Sequence, residues 1–315
     1  METNNKEIQV FAPATVSNVG CGFDIMGFAL EEPGDEVLLR KCDVPEVRII
    51  KITGDAGQLP ANPVLNTAGK PVLSMLRDFK IEGGVEIEIH KKMPFGSGLG
   101  SSAASAVAAV YAMNKLFNLN LTKEQLLPYA LEGEMIASGS LHADNVAPAL
   151  YGGFILIRSY NPIDVIKIKV PDNLYCSVIH PDIKISTKEA RELLPTQIPL
   201  KTAVKQWGNT AALIAGLMTN DFSLIGRAVE DFVAEPIRSQ LIPYYKEVKN
   251  SALDGGAIGC SISGSGPSIF AFSDSFEQAE KISKLMQITF NNYGISSQTY
   301  NSKINTTGPK VLSVS

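Results

Sequence analysis

Val85-Glu86-Ile87-Glu88-Ile89-His90 alternates apolar and polar residues, the period of a half-buried strand. A glycine-rich turn follows. After it comes a run of small helix formers, Ala103 to Ala112, broken only by Ser105, Val107, Val110 and Tyr111. Elsewhere the same reading predicts strands over 8–11, 36–41, 47–52, 154–158 and 176–179. It predicts helices over 67–79, 201–219, 221–233 and 243–253. Thr122-Lys123-Glu124-Gln125 and Ser186-Thr187-Lys188-Glu189 are capping-box sequences that open two further helices. The first carries Pro128 and ends near Gly139; Pro195 stops the second. Residues 257–262 and 268–272 read as a hairpin, 276–293 as an amphipathic helix and 297–300 as a final strand. Residues 12–24, rich in Gly and small polar residues, read as a loop. The mixed order predicts an α+β protein, with a change of domain between 162 and 171.

Composition narrows the class. A chain of 315 residues is long enough for two domains sharing a cleft. Its 45% hydrophobic and 19% charged residues are those of an ordinary globular protein. The net charge of −4 argues against a general nucleic-acid binder. No apolar run reaches the ~18 residues of a membrane span, and the polar N-terminus has no signal-peptide core. Cys21, Cys42, Cys176 and Cys260 form no CxxC pair, so a reduced, cytoplasmic setting is expected. His90, His142 and His180 lie far apart, which argues against zinc.

The candidate chemistry centres on residues 94–104. Gly96, Gly98 and Gly100 stand at every second position, followed by Ser101, Ser102 and the predicted helix N-terminus. Free N–H groups and the positive end of a helix dipole there would suit phosphate. A plain connection into an Ala-rich helix would have the same composition. The loop fits neither a Walker A motif, lacking Gly-Lys-Ser/Thr, nor the Rossmann spacing of glycines. Around a helix end, Glu134, His142, Asp144 and Asn145 fall within twelve residues. Thr187 and Arg191 sit one turn apart on one helix face, and Arg238 lies in a kinked connector. Asn18 and Asp24 flank glycines, and Ser263-Gly264-Ser265-Gly266-Pro267 is a second glycine turn.

Together these segments resemble the superfamily of galactokinase, homoserine kinase, mevalonate kinase and phosphomevalonate kinase. The loop from Pro94 to Ala104 matches its phosphate loop at every fixed position. Pro13-Ala14-Thr15 with Asn18, Gly22 and Asp24 resembles the first family motif, and Ser263–Pro267 the third. Within the superfamily the resemblance is closest to the homoserine kinases. It rests on Ser17–Asp24, His142–Pro148, Ser186–Arg191 and Glu235–Arg238.

The resemblance implies a two-domain small-molecule kinase fold. Residues 1–165 would form an ATP-binding domain like the second domain of ribosomal protein S5, and 166–315 a ferredoxin-like domain contributing to the acceptor site. It implies ATP-dependent phosphorylation of L-homoserine in threonine biosynthesis. A mevalonate kinase-like enzyme is the alternative, and a non-catalytic sensor on the same scaffold a third. Pro94, Phe95, Gly96, Ser97, Gly98, Leu99, Gly100, Ser101, Ser102, Ala103 and Ala104 would wrap the triphosphate, with Asn66 on the adenine side. Ser102 and Glu134 would hold Mg2+. Arg191 and Arg238 would bind the acceptor carboxylate, and Asp24 and Asn18 its ammonium and hydroxyl. Thr187, His142, Asn145 and Gly264 would complete the pocket. Related kinases place an Asp base near the position of Asn145, and an amide cannot take a proton. Catalysis by positioning without a strong protein base is therefore expected, with a base role for the neighbouring Asp144 as the alternative. The resemblance further implies a homodimer, on which the residues themselves are silent.

Overall fold

The computed structural model describes residues 6–94, 96–139 and 141–315, with Ser138 by its backbone alone. The chain runs through β1 (Glu7–Ser17), β2 (Met26–Cys42), β3 (Val47–Thr53), α1 (Gly69–Asp78) and β4 (Gly84–His90). Next come α2 (Ser101–Leu116), α3 (Lys123–Ser138), α4 (Ala143–Tyr151), β5 (Phe154–Tyr160) and β6 (Ile163–Ile168). These strands build a sheet in the order β1-β2-β4-β3, with β5 pairing β2 and β6 pairing β5. A second layer follows: β7 (Tyr175–Pro181), α5 (Thr187–Glu192), α6 (Leu200–Thr219), α7 (Phe222–Ala228), α8 (Glu235–Arg238) and α9 (Tyr245–Asp254). It is completed by β8 (Gly259–Ile262), β9 (Ile269–Ser273), α10 (Phe276–Asn292) and β10 (Ser297–Lys303). Its sheet order, β10-β7-β9-β8 with antiparallel neighbours, is that of a ferredoxin-like fold. The chain then returns, and β11 (Lys310–Val314) pairs antiparallel with β1.

That return corrects the anticipated division at 165/166. The cut falls inside β6, which pairs with β5, and 310–314 lie on the first sheet rather than the second. Three local expectations also change. The presumed loop at 12–24 is strand as far as Ser17, because its small residues Ala12, Ala14 and Thr15 are fully buried within the sheet. The helix expected over 221–233 stops at Ala228. There the Asp231 carboxylate takes the backbone N–H groups of Val233, Ala234 and Glu235 and so seeds α8. At α5, Ser186 caps the Glu189 N–H, whereas at α3 Thr122 and Gln125 make both bonds of a capping box.

One core joins the layers. Phe28 of β2 and Phe154 of β5 stack with centroids 5.7 Å apart, and Phe28 also meets Phe270 and Phe272 of β9 at 6.2 and 5.3 Å. All four rings are fully buried. Aromatic burial on this scale fixes how the second sheet sits against the first. Helix α2 is buried on nearly every side, which its alanines permit by letting it approach β1 and β2 closely. Its N-terminus, and the glycine loop before it, are thereby held at the junction of the two layers.

Candidate active site

Two glycines set the loop geometry. Gly98 has φ 74°, and a Cβ there would lie 2.6 Å from the Ser263 carbonyl oxygen. Gly100 has φ 64°, and its Cβ would lie 2.0 Å from Thr15 Oγ1. Only glycine tolerates both the left-handed backbone and that crowding. Three segments distant in sequence are knitted together here. Ser263 Oγ donates to the Gly98 carbonyl at 2.7 Å, and Gly264 N to the Ser17 carbonyl at 3.1 Å. Asn18 Nδ2 and Arg238 Nη1 both donate to the Gly264 carbonyl, at 2.9 and 3.0 Å. The first α2 ladder bond runs from Ala104 N to Gly100 O, so the N–H groups of Ser101, Ser102 and Ala103 lie ahead of the ladder.

Beside this loop opens a cavity of about 930 Å³ with walls from both layers. A chain of polar contacts crosses it. Ser102 Oγ donates to Glu134 Oε2 at 2.7 Å, and His142 Nδ1 lies 3.2 Å from Glu134 Oε1. Arg191 Nη2 lies 3.2 Å from His142 Nε2. The Arg191 guanidinium also grips Asp24 with two bonds, at 2.9 and 2.7 Å, in the bidentate fork that suits a carboxylate. Asn18 Oδ1 in turn accepts from Asp24 N at 2.9 Å. Arg191 and Arg238 both lie over the Phe23 ring, 5.5 and 5.1 Å from its centroid. Burial, and then Arg191 beside it, depress the pKa of Arg238.

Asp144 and Asn145, adjacent in the first turn of α4, differ in their bonding. Asn145 is pinned at the glycine-loop end: its Oδ1 accepts from Thr15 Oγ1 at 2.7 Å and its Nδ2 donates to Ser17 Oγ at 3.1 Å. Asp144 is buried with its Oδ1 unpartnered among the described residues. Burial, followed by the nearby charge of Asp24, pushes its pKa up to about 7, with Glu134 adding to the rise. Burial alone would lower the pKa of His142, but the Glu134 hydrogen bond and the Asp144 charge more than offset this and raise it.

Residues 66–153 match the GHMP kinases N terminal domain, and 213–292 match the GHMP kinases C terminal domain. Homoserine kinase from Chlorobium phaeobacteroides (strain BS1) is 53% identical over 90% of this chain and 92% of its own. That from Chlorobaculum tepidum is 50% identical over 98% and 99%. The chain belongs to the homoserine kinase family. The crystal structure of the family member from Cytophaga hutchinsonii is 56% identical, with TM-score 0.97 over 99% of both chains. L. major mevalonate kinase in complex with R-mevalonate, 20% identical with TM-score 0.72 over 93% and 95%, shares the fold.

In this homoserine kinase family chain the cavity wall brings together most of the residues singled out from sequence. Asn18, Asp24, Asn66, Gly96, Ser97, Gly98, Gly100, Ser101, Ser102 and Glu134 line it, with His142, Asp144, Asn145, Thr187, Arg191, Arg238 and Gly264. Thr187 Oγ1 lies 3.1 Å from Ser265 Oγ and ties α5 to the second glycine turn. Three loop positions fall elsewhere: the side chains of Leu99, Ala103 and Ala104 are fully buried in the core and seat the loop rather than line the cavity. Pro94 is also absent from the wall, and Phe95 lies outside the described residues. Asn66 reaches the wall with its carboxamide already committed. Its Oδ1 accepts from Ala68 N and Gly69 N, and its Nδ2 donates to the Pro60 carbonyl.

Sequence reasoning missed Lys91 and Asp35. Lys91 lines the cavity, and its ammonium donates to Asp35, to the Ser101 carbonyl at 2.8 Å and to Ser105 Oγ at 2.7 Å. Asp35 is fully buried and also accepts from Lys92 N at 2.9 Å and Ser101 Oγ at 2.7 Å. The pair anchors the end of β4 to the first turn of α2. Lys184, which reaches Gln58 Oε1 at 3.1 Å, was missed as well.

Proposed function

We infer that this protein transfers the γ-phosphoryl group of ATP to the side-chain hydroxyl of L-homoserine, as the names of its relatives imply, giving the O-phospho-L-homoserine used in threonine synthesis. The observation that carries this reading is the distribution of charge in the cavity. Two guanidinium groups converge at Phe23, and a buried carboxyl oxygen of Asp144 without a partner lies in the same wall. Both signs at one end of the cavity suit a zwitterion. Mevalonate has a carboxylate but no ammonium to meet Asp144, and galactose has neither.

In this reading Arg191 and Arg238 bind the acceptor carboxylate and Asp144 takes its ammonium. Asp24, expected to serve the ammonium, is already paired with Arg191 and sets that guanidinium in place. The acceptor hydroxyl then lies toward Asn145 and the glycine loop. The Asn145 carboxamide orients that hydroxyl and cannot take its proton. Its attack on the γ-phosphorus breaks the bond to the β-phosphate oxygen, and the proton leaves through phosphate or solvent. The N–H groups of the loop and of the first α2 turn meet the triphosphate, and Lys91 adds a cation held by Asp35. Positioning and charge neutralisation account for most of phosphoryl-transfer catalysis.

Mg2+ fits the residues present. Ser102 Oγ and the Glu134 carboxylate are hard oxygen donors, adjacent to each other at the N-terminus of α2. Among the described residues no group of three or more His, Cys, Asp or Glu side chains is placed to hold a metal ion by itself. That suits an ion which keeps several waters and takes its remaining ligands from phosphate. When bound it would neutralise charge on the phosphates. Glu134→Gln is expected to lower kcat by at least ~10²-fold and to raise the Mg2+ concentration needed for half-maximal rate. Near wild-type rates at ordinary Mg2+ would remove Glu134 from the metal site. The inference as a whole is tested by a coupled ADP-release assay with homoserine, mevalonate and galactose. Turnover is expected with homoserine alone. Turnover with mevalonate instead would assign the alternative chemistry, and binding of ATP without turnover of any acceptor would leave a sensor.

A further inference from the structure

Asn18, Phe23 and Asp24 stand on the loop between β1 and β2, whereas Arg238 ends α8. These two arms of the acceptor pocket touch at the backbone: a Cβ on Gly20, whose φ is 65°, would lie 1.8 Å from the Val229 carbonyl oxygen. Gln206 of α6, which is not part of the cavity wall, ties them together. Its Nε2 donates to the Cys21 carbonyl at 2.9 Å and to Asp231 Oδ1 at 2.8 Å, and its Oε1 accepts from Phe232 N at 2.9 Å. These bonds use both N–H groups and the oxygen of the carboxamide. They also fix its orientation. Reversed, the oxygen would face a carbonyl and a carboxylate, and the NH2 group an N–H. Gln206 and Asp231 are each more than nine-tenths buried, and a buried network is rigid when every member is satisfied.

Asp231 passes the constraint on to α8 through the N–H groups of Val233, Ala234 and Glu235. Glu235 braces the other side, its carboxylate bonded to Lys249 and to Ser261 Oγ at 2.6 Å. Arg238 depends on this mount. A carboxylate fork holds Arg191, but Arg238 donates to the Gly264 carbonyl, and its buried Nε has no partner among the described residues. The direction of its guanidinium is therefore set by the backbone of α8 and by the Phe23 ring, 5.1 Å away. We propose that Gln206 is a positioning residue for the acceptor, resting this on the assignment of both guanidinium groups to the acceptor carboxylate: its carboxamide sets the span between Phe23 and Arg238, so that Arg191 and Arg238 converge on one ligand. A guanidinium displaced by about 1 Å loses the aligned geometry on which charged hydrogen bonds depend. The glycine loop, Ser102 and Glu134 take no part in these bonds, so the ATP side is spared.

Gln206→Met keeps the length of the side chain and removes all three bonds. It is expected to raise the KM for homoserine by ~10–100-fold, with the KM for ATP within about two-fold and kcat at saturating homoserine within about five-fold of the parent. Asp231→Asn should shift the same constant in the same direction, and it carries the test from the other end of the link should Gln206→Met not fold. Because both variants break one link, the double variant should raise the KM little more than the worse single one. Leu217→Ala, buried on the same helix, controls for stability. It should lower the melting temperature at least as far as Gln206→Met and leave the homoserine KM within about two-fold of the parent. A parent that does not phosphorylate homoserine would overturn the substrate reading and this proposal with it. If the parent does, a Gln206→Met KM like its own, or a rise matched in the KM for ATP or in Leu217→Ala, would overturn the positioning role alone and leave Gln206 a packing residue.

Discussion

Replacing Asp144 with Asn should raise the KM for homoserine by about 100-fold, the loss expected when one partner of a buried charged hydrogen bond is removed. kcat at saturating acceptor should change far less. The split matters because the alternative role predicts the reverse. A general base lost from the site would lower kcat by ~10²–10⁴-fold at any acceptor concentration. Geometry favours the KM effect: Asn145 is bonded to Thr15 and Ser17 beside the glycine loop, whereas Asp144 lies within electrostatic reach of Asp24 and of both Arg191 and Arg238.

The pH dependence follows from the same carboxyl. Its pKa lies at about 7 in the folded chain, against an ordinary 3.8. Only the ionised form attracts an ammonium, so the homoserine KM should rise ~10-fold for each pH unit below 7, and Asp144→Asn should flatten that limb. Stability moves the other way. Between pH 3.8 and about 7 the native state holds a proton that the unfolded chain has released, so stability falls as pH rises through this window. Asn never ionises. The variant should therefore melt higher than the parent above pH 7, by the equivalent of a few kcal/mol. A variant less stable than its parent at pH 8 would refute the buried, charge-strained carboxylate.

What could be read from the sequence was what local chemistry writes there. The glycine loop, the cluster around the end of α3 and the Glu235–Arg238 connector each carry their residues within a dozen positions. Lys91 and Asp35 were invisible because they are 56 positions apart and each resembles a surface charge in isolation. Asp24 and Arg191 were both identified, but their mutual pairing across 167 positions was not. Asn66 lines the cavity as well, but that its carboxamide is bonded to Pro60, Ala68 and Gly69 depends on a local turn that composition does not reveal. The return of β11 to the first sheet depends on pairing across almost the whole chain, which alternation within a five-residue strand cannot reveal.

Arg191→Leu is expected to reduce kcat/KM for homoserine by ~10³-fold, chiefly through KM, while the KM for ATP stays within a few-fold of wild type. Two losses combine. The variant removes one of the two guanidinium groups over Phe23, and it leaves the Asp24 carboxylate, which now pairs with Arg191 through both oxygens, facing the acceptor carboxylate uncompensated. Arg191→Lys restores the charge but not the fork, and should recover only part of the loss. Stability should hardly change, because the Arg191 and Asp24 side chains are each about one-third exposed and such pairs contribute roughly 0–1 kcal/mol. A double-mutant cycle with Asp24→Asn separates the two contributions. If repulsion from the orphaned carboxylate dominates, the double variant should bind homoserine better than Arg191→Leu alone. If Asp24 itself holds the ammonium, the double variant should bind worse than either single one, and the assignment of that group to Asp144 would fall.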